Sequence, residues 1–257
     1  MNEQEPRQDI NAKPFLQIAL DLPNMEQALK IAESVEEYAD IFEVGSALLK
    51  KEGARSIELF KRQFPQKRIF ADTKTIDLGR VEAQILFEAG ADMMSVCGVA
   101  SDETIEFAVK EARACGKQIV IDMINIEDSY RQVKRFTYLE PDYLAVHTGV
   151  DERVRKDDLF EQVEIISRLS PIPLAVSGGI QLDDISYLLL FHPAILMVGS
   201  AITQAEISTD KPLPAIPKDA LESAAAGQPT LIPPGVTNLV GAIIKLEDGQ
   251  MVAVDAK

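Results

Sequence analysis

Arg68-Ile69-Phe70-Ala71-Asp72 is a short apolar run that ends in a carboxylate, and the segment Asp77–Ala89 follows it after four residues. In that segment Val81, Ile85, Leu86 and Ala89 fall on one face at helical spacing. The pair reads as a strand followed by an amphipathic helix. The same alternation extends in both directions. Strands are expected near Phe15–Asp21, Asp40–Val44, Arg68–Asp72, Asp92–Cys97, Gln118–Asp122, Asp142–His147, Ile172–Val176 and Ala194–Val198. Helical patterns lie between them, among them Met25–Tyr38 and Thr104–Ala114. Eight consecutive βα units predict an α/β protein, a (β/α)8 TIM barrel. An open doubly wound sheet is the other arrangement of such units. That fold usually carries Gly-x-Gly-x-x-Gly after its first strand, where this chain has Asp21-Leu22-Pro23-Asn24. No internal repeat is evident beyond the βα rhythm.

The barrel pattern divides the chain into an N-terminal tail, residues 1–13, a barrel domain, 14–206, and a C-terminal extension, 207–257. The extension holds six of the 14 prolines, between Pro212 and Pro234, and reads as linker-like. After it, Val240–Leu246 and Gln250–Val254 alternate around Glu247-Asp248-Gly249, which predicts a β-hairpin.

A net charge of −15 argues against nucleic acid or an anionic membrane as partner. It leaves room for one small phosphate, which needs only a local cradle of N–H groups. The start of the chain is polar and acidic, unlike a signal peptide, and no apolar run reaches the ~20 residues of a membrane span. The two cysteines, Cys97 and Cys115, form no ligand-spaced pair, and a cytoplasmic location is expected.

In such a barrel the C-terminal ends of the strands form the mouth, and alternate side chains point inward. That period selects Asp21, Glu43, Asp72, Lys74, Asp122 and His147. One Asp at a strand end is most often a turn former or helix cap, but six ionisable groups on one rim are harder to explain that way. Four carboxylates against one Lys call for a cation or a proton. Oxygen ligands of this kind suit Mg²⁺, with Mn²⁺ as the alternative, rather than zinc. His192, before Pro193 at the opposite end of the barrel, reads as structural, and Cys97 as a core thiol. Ser177-Gly178-Gly179 and Gly199-Ser200-Ala201 follow strands seven and eight, where barrels frequently hold phosphate.

These segments resemble the 3-hexulose-6-phosphate synthase family. That family sits in a suite with orotidine-5'-phosphate decarboxylase and 3-keto-L-gulonate-6-phosphate decarboxylase. The matching stretches are Leu16–Asp21, Glu43-Val44-Gly45, Asp72-Thr73-Lys74-Thr75-Ile76-Asp77, His147–Asp151, Ser177–Gly179 and Val198–Thr203. The resemblance implies that Glu43 and Asp72 bind Mg²⁺ and that Lys74 contacts substrate and a developing enediolate. It also implies that Asp21 holds substrate hydroxyls and that Asp122 and His147 serve in proton transfer. Asp77 would reach into a neighbouring subunit's site, which implies a homodimer. The implied reaction adds formaldehyde to D-ribulose 5-phosphate, reversibly. Two readings remain beside it: a keto-sugar-phosphate decarboxylase and a non-catalytic sugar-phosphate-binding regulator. The decarboxylases carry Arg residues after strands six and eight, where this chain has His147-Thr148-Gly149-Val150 and Gly199-Ser200.

Overall fold

The computed structural model describes residues 13–151, 156–204, 242–247 and 250–255. Eight parallel strands close into a barrel in sequence order: β1 (Phe15–Leu20), β2 (Ile41–Val44), β3 (Arg68–Thr75), β4 (Met93–Cys97), β5 (Gln118–Asp122), β6 (Tyr143–His147), β7 (Leu174–Ser177) and β8 (Ile195–Val198). The chain therefore has the (β/α)8 fold that the alternation predicts. Helices α1 (Met25–Val35), α2 (Ser46–Glu52), α3 (Arg55–Gln63), α4 (Gly79–Glu88), α5 (Asp102–Cys115), α6 (Ser129–Leu139), α7 (Lys156–Leu169), α8 (Ile185–Leu188) and α9 (Ser200–Thr203) lie between or after the strands.

Strand alternation sorts the apolar residues into two cores. Inward-facing Ile41, Phe70, Met93, Val120, Ala175 and Met197 fill the barrel. The outward-facing residues pack under the helices, where Phe42, Phe60 and Phe64 stack with centroids 4.7 to 6.3 Å apart. Burying one such ring contributes about 2 kcal/mol. Polar caps mark where helices begin: Asn24 accepts the Gln27 N–H, and Ser101 that of Thr104.

A finer repeat appears at the opposite end from the mouth, beyond the βα rhythm read from the sequence. Asp40, Asp92 and Asp142 each stand one residue before β2, β4 and β6. Their carboxylates accept the N–H groups of Leu16, Ile69 and Ile119 at 2.8, 3.0 and 2.8 Å. Each Asp returns its own N–H to the carbonyl of the same residue. A two-bond latch thus ties every odd strand to the next even one, up to β6. At the fourth pair, Ala194 makes the backbone bond to Leu174 and brings no carboxylate.

Most boundaries shift by one or two residues from the sequence reading, and three of the differences have a visible cause. Strand β7 starts at Leu174 rather than Ile172, because Pro171 and Pro173 lack N–H groups for a ladder. Helix α1 stops at Val35, whose carbonyl turns back to accept from Tyr38 and Ala39. Strand β3 runs past Asp72 to Thr75, through a bulge. Near the C-terminus, β9 (Ala242–Glu247) and β10 (Gln250–Asp255) pair antiparallel as the expected hairpin, Glu247 opposite Gln250. The rest of the extension, the expected boundary at 206–207 and residues 1–12 of the expected tail lie outside the described residues.

Candidate active site

The strand ends surround a small cleft, open to solvent and lined by Glu43, Asp72, Lys74, Ser95, Asp122 and His147 among others. Five of the six rim residues selected by alternation therefore meet in one place. The sixth, Asp21, lies at the end of β1. Its carboxylate rests directly over Gly45: a Cβ on that glycine would stand 2.1 Å from Asp21 Oδ1. It also accepts the backbone N–H of Ser46, at the start of α2. Asp21 is solvent-exposed as a residue, yet protein surrounds its carboxyl. That desolvation and the charge of Asp72 raise its pKa.

Glu43 is buried on β2, and its Oε2 accepts from Gln17 Nε2 at 2.7 Å. Burial, then Asp72 and Asp21, push its pKa well above the ordinary carboxylate range. Asp72 is held from three sides. Ser95 Oγ donates to its Oδ1 at 2.9 Å, while Ser46 Oγ and Lys74 Nζ donate to its Oδ2 at 2.8 and 2.5 Å. Lys74 Nζ lies 3.4 Å from Asp122 Oδ2 as well. Burial alone would lower the Lys74 pKa, but Asp72 and Asp122 outweigh it and raise it. The lysine is a fixed ammonium and not a base.

Asp122 is almost fully buried, and both its oxygens lie 3.0 Å from His147 Nδ1. Its Oδ1 also accepts the Ile124 N–H. Burial would raise its pKa, but the bond from His147, its charge and that of Lys74 lower it. An ionised Asp122 fixes hydrogen on Nδ1, so Nε2 is the imidazole nitrogen with a lone pair for chemistry. Such a pair can work as an orienting carboxylate behind a general base. That is a more specific part for Asp122 than a share in proton transfer.

The two glycine loops sit as expected beyond β7 and β8. Gly178 and Gly179 hold φ of 122° and 62°, which a side chain would strain, and Ser177 lines the cleft. Gly199 caps the short α9, and Ser200 is its first residue. Asp77 does not join the cleft. It is exposed, and its Oδ1 accepts the N–H of Leu78. His192 lies at the other end, where it closes a 3₁₀ turn with φ 49°. Cys97 is buried, and burial, then Asp122, lifts its thiol to about 11, so it stays protonated.

Three polar residues of the site are not among the candidates selected from the sequence: Gln17, Ser46 and Ser95. Gln17 and Ser95 stand two residues before Asp21's inward neighbour Ala19 and before Cys97, respectively, so the same alternation points them inward. Being uncharged, neither attracts notice on its own.

The donor set suits a hard divalent cation. Among the described residues no group of three or more His, Cys, Asp or Glu is arranged to hold a metal. Mg²⁺, however, is commonly held by one or two carboxylates, with water and substrate oxygens completing its shell. Glu43 and Asp72 are the two carboxylates that would face such a cation from the cleft lining.

The sequence profile of the orotidine 5'-phosphate decarboxylase / HUMPS family matches residues 14–211. The chain belongs to that family. It is 38% identical over 191 residues to the 3-hexulose-6-phosphate synthase of Bacillus subtilis, a match covering 74% of this chain and 91% of the relative. It is 37% identical over 190 residues to the enzyme of the same name from Mycobacterium gastri, covering 74% and 88%. A crystal structure of 3-hexulose-6-phosphate synthase superposes with a TM-score of 0.70 at 37% identity, over 74% of this chain and 92% of the other. With relatives of this kind over most of the barrel, the chain is a lyase-type enzyme. No helix among the described residues is long and apolar enough to cross a membrane.

Proposed function

We propose that this family member is a Mg²⁺-dependent aldolase that joins formaldehyde to C1 of D-ribulose 5-phosphate, giving 3-hexulose 6-phosphate. The observation that carries the reading is the chain His147–Asp122–Lys74–Asp72, which places an oriented base beside a fixed positive charge in one cleft. His147 Nε2 takes the C1 proton of the bound ketose. The Lys74 ammonium stabilises the negative charge that develops on oxygen. The nucleophilic C1 then forms a carbon–carbon bond to formaldehyde, and the imidazolium returns its proton to the new alkoxide. Glu43 and Asp72 would hold the Mg²⁺, or Mn²⁺ as the alternative, which when bound would supply Lewis-acid stabilisation of developing negative charge on oxygen. Asp21 orients substrate hydroxyls from the rim. The loops at Ser177, Gly178 and Gly179 and at Gly199 and Ser200 grip the phosphate, away from the reacting carbon.

The reading includes a homodimer. Ile76, Leu78, Val81 and Ile85 expose apolar side chains along the β3–α4 connection and α4, and Val99 and Phe107 extend that surface. Asp77, outside its own cleft, lies on the same connection, where it can complete the site of a second copy.

Formaldehyde consumption decides the main reading. Loss of formaldehyde with ribulose 5-phosphate, abolished by chelator and restored by Mg²⁺, is the expected result. Absence of loss under every metal condition would refute the aldolase, and CO₂ release from a keto-gulonate phosphate would assign the decarboxylase instead. Sugar-phosphate binding without turnover would leave the regulator.

A further inference from the structure

Between the paired residues Ala71↔Met94 and Thr75↔Val96, β3 spends three residues where β4 spends one. The three are Asp72, Thr73 and Lys74, and the one is Ser95. Bulges of this kind re-aim side chains beside active sites. Here the bulge places Lys74 at φ 50°, a left-handed backbone that a residue with a Cβ rarely holds. An outside contact has to keep it there.

The geometry points to Ser95 as the residue that positions the Asp72–Lys74 pair for the reaction. The assignment rests on the aldolase reading only for its catalytic consequence. Ser95 is 2% exposed and meets every residue of the bulge. Its Oγ accepts the Lys74 N–H at 2.8 Å and donates to Asp72 Oδ1 at 2.9 Å, and its carbonyl accepts from Thr73 Oγ1 at 2.8 Å. The proton placement is forced. A backbone N–H can only donate, so the single hydroxyl hydrogen must go to Asp72, which fixes the rotor of Ser95. One hydroxyl thereby sets the backbone of the ammonium carrier and the orientation of the carboxylate that the ammonium touches. Cys97, two residues along β4, donates its thiol to the Lys74 carbonyl at 3.3 Å. Both backbone groups of Lys74 are therefore held from β4.

Without the hydroxyl, the Lys74 N–H loses its acceptor and Asp72 Oδ1 loses its donor. Supporting contacts of this kind, when removed, typically cost about 10- to 100-fold in activity. The test compares the parent with Ser95→Ala and Ser95→Thr. We expect Ser95→Ala to lower kcat about 10- to 100-fold with KM for ribulose 5-phosphate changed less than about threefold. Ser95→Thr, which keeps the hydroxyl, should recover most of that loss. A merely structural serine would lower the melting temperature without this split, so kcat in Ser95→Ala within about threefold of the parent overturns the assignment. A crystal structure of Ser95→Ala provides a readout independent of turnover. Lys74 leaving the left-handed region, with Nζ withdrawn from Asp72, supports the positioning role; Lys74 unmoved overturns it. Should the parent protein itself fail to consume formaldehyde, the aldolase reading falls, and the variant's crystal structure still decides the role of Ser95.

Discussion

Gly45→Ala is a small substitution with a large expected effect on chemistry. The backbone at Gly45 has φ −68° and ψ 161°, which alanine adopts without strain. The obstacle is Asp21. The added Cβ would stand 2.1 Å from Oδ1, 2.6 Å from Cγ and 3.0 Å from Cα of that residue. A carbon–oxygen contact normally needs about 3.3 Å, so the carboxylate must retreat by about 1 Å. Displacing a positioning group by about 1 Å can cost on the order of 100-fold in rate, or about 2.7 kcal/mol of transition-state stabilisation. The cost to folding is smaller, about 1 kcal/mol for replacing a glycine helix cap by alanine. For a domain of this size that lowers the melting temperature by about 2–4 °C. The assay is kcat/KM for formaldehyde consumption with ribulose 5-phosphate, beside a thermal melt. A folded variant with kcat/KM within about threefold of the parent would show that Asp21 does not orient the substrate.

Three further outcomes are expected. Asp122→Asn keeps the shape of the site but offers an N–H to His147 Nδ1, which moves the ring hydrogen to Nε2 and removes the base; kcat should fall about 10²–10⁴-fold, and an unchanged kcat would release Asp122 from its orienting part. Asp92 is the latch residue that also holds Lys61 and Lys117 at 2.8 Å. Burial opposes ionisation there, but the bonds from those lysines and from Ile69 win and depress its pKa. Its contribution to stability is therefore present above the unfolded value of about 3.9 and lost as pH falls through the lower folded value. Urea unfolding between about pH 6 and 2.5 should show that slope in the parent and a weaker one in Asp92→Asn; identical slopes would refute the assignment. Ile85→Glu should convert a dimer to monomer in sedimentation, and a parent protein that sediments as a monomer would end the shared-site reading.

The fold was legible because a parallel barrel buries both faces of each strand, so each strand reads as an apolar run between amphipathic helices. Charged rim residues were legible for a related reason: a carboxylate at the end of an apolar run, as at Asp72 or Asp122, stands out against its neighbours. Ser95 did not, since Met93-Met94-Ser95-Val96-Cys97 reads as one more strand and a serine is unremarkable in it. Lys74 lines the cleft for a reason other than its spacing. Two-residue spacing from Asp72 would put both on one face of a regular strand, but the strand is bulged there, and what brings Nζ to Asp72 is a left-handed residue tied to β4. Such a backbone choice depends on a partner 21 residues away, which no local pattern encodes. The latch at Asp40, Asp92 and Asp142 escaped notice because an Asp before a strand has many ordinary uses; only the strand pairing reveals that the same bond is made three times.

The missing fourth latch bears on how the enzyme lets go of its product. β7 and β8 carry the two glycine loops at their far ends, and theirs is the odd–even strand pair, among the described residues, that the carboxylate bond does not fasten. The latch thus fastens three of the eight neighbouring strand pairs, and the odd–even pair beneath the two glycine loops goes without it. Amide exchange should be faster at Leu174 and Ala175 than at Ile69 and Phe70, and Ala194→Asp should slow it. If phosphate release limits turnover, fastening that pair would yield a more stable and slower enzyme, with the two effects rising together.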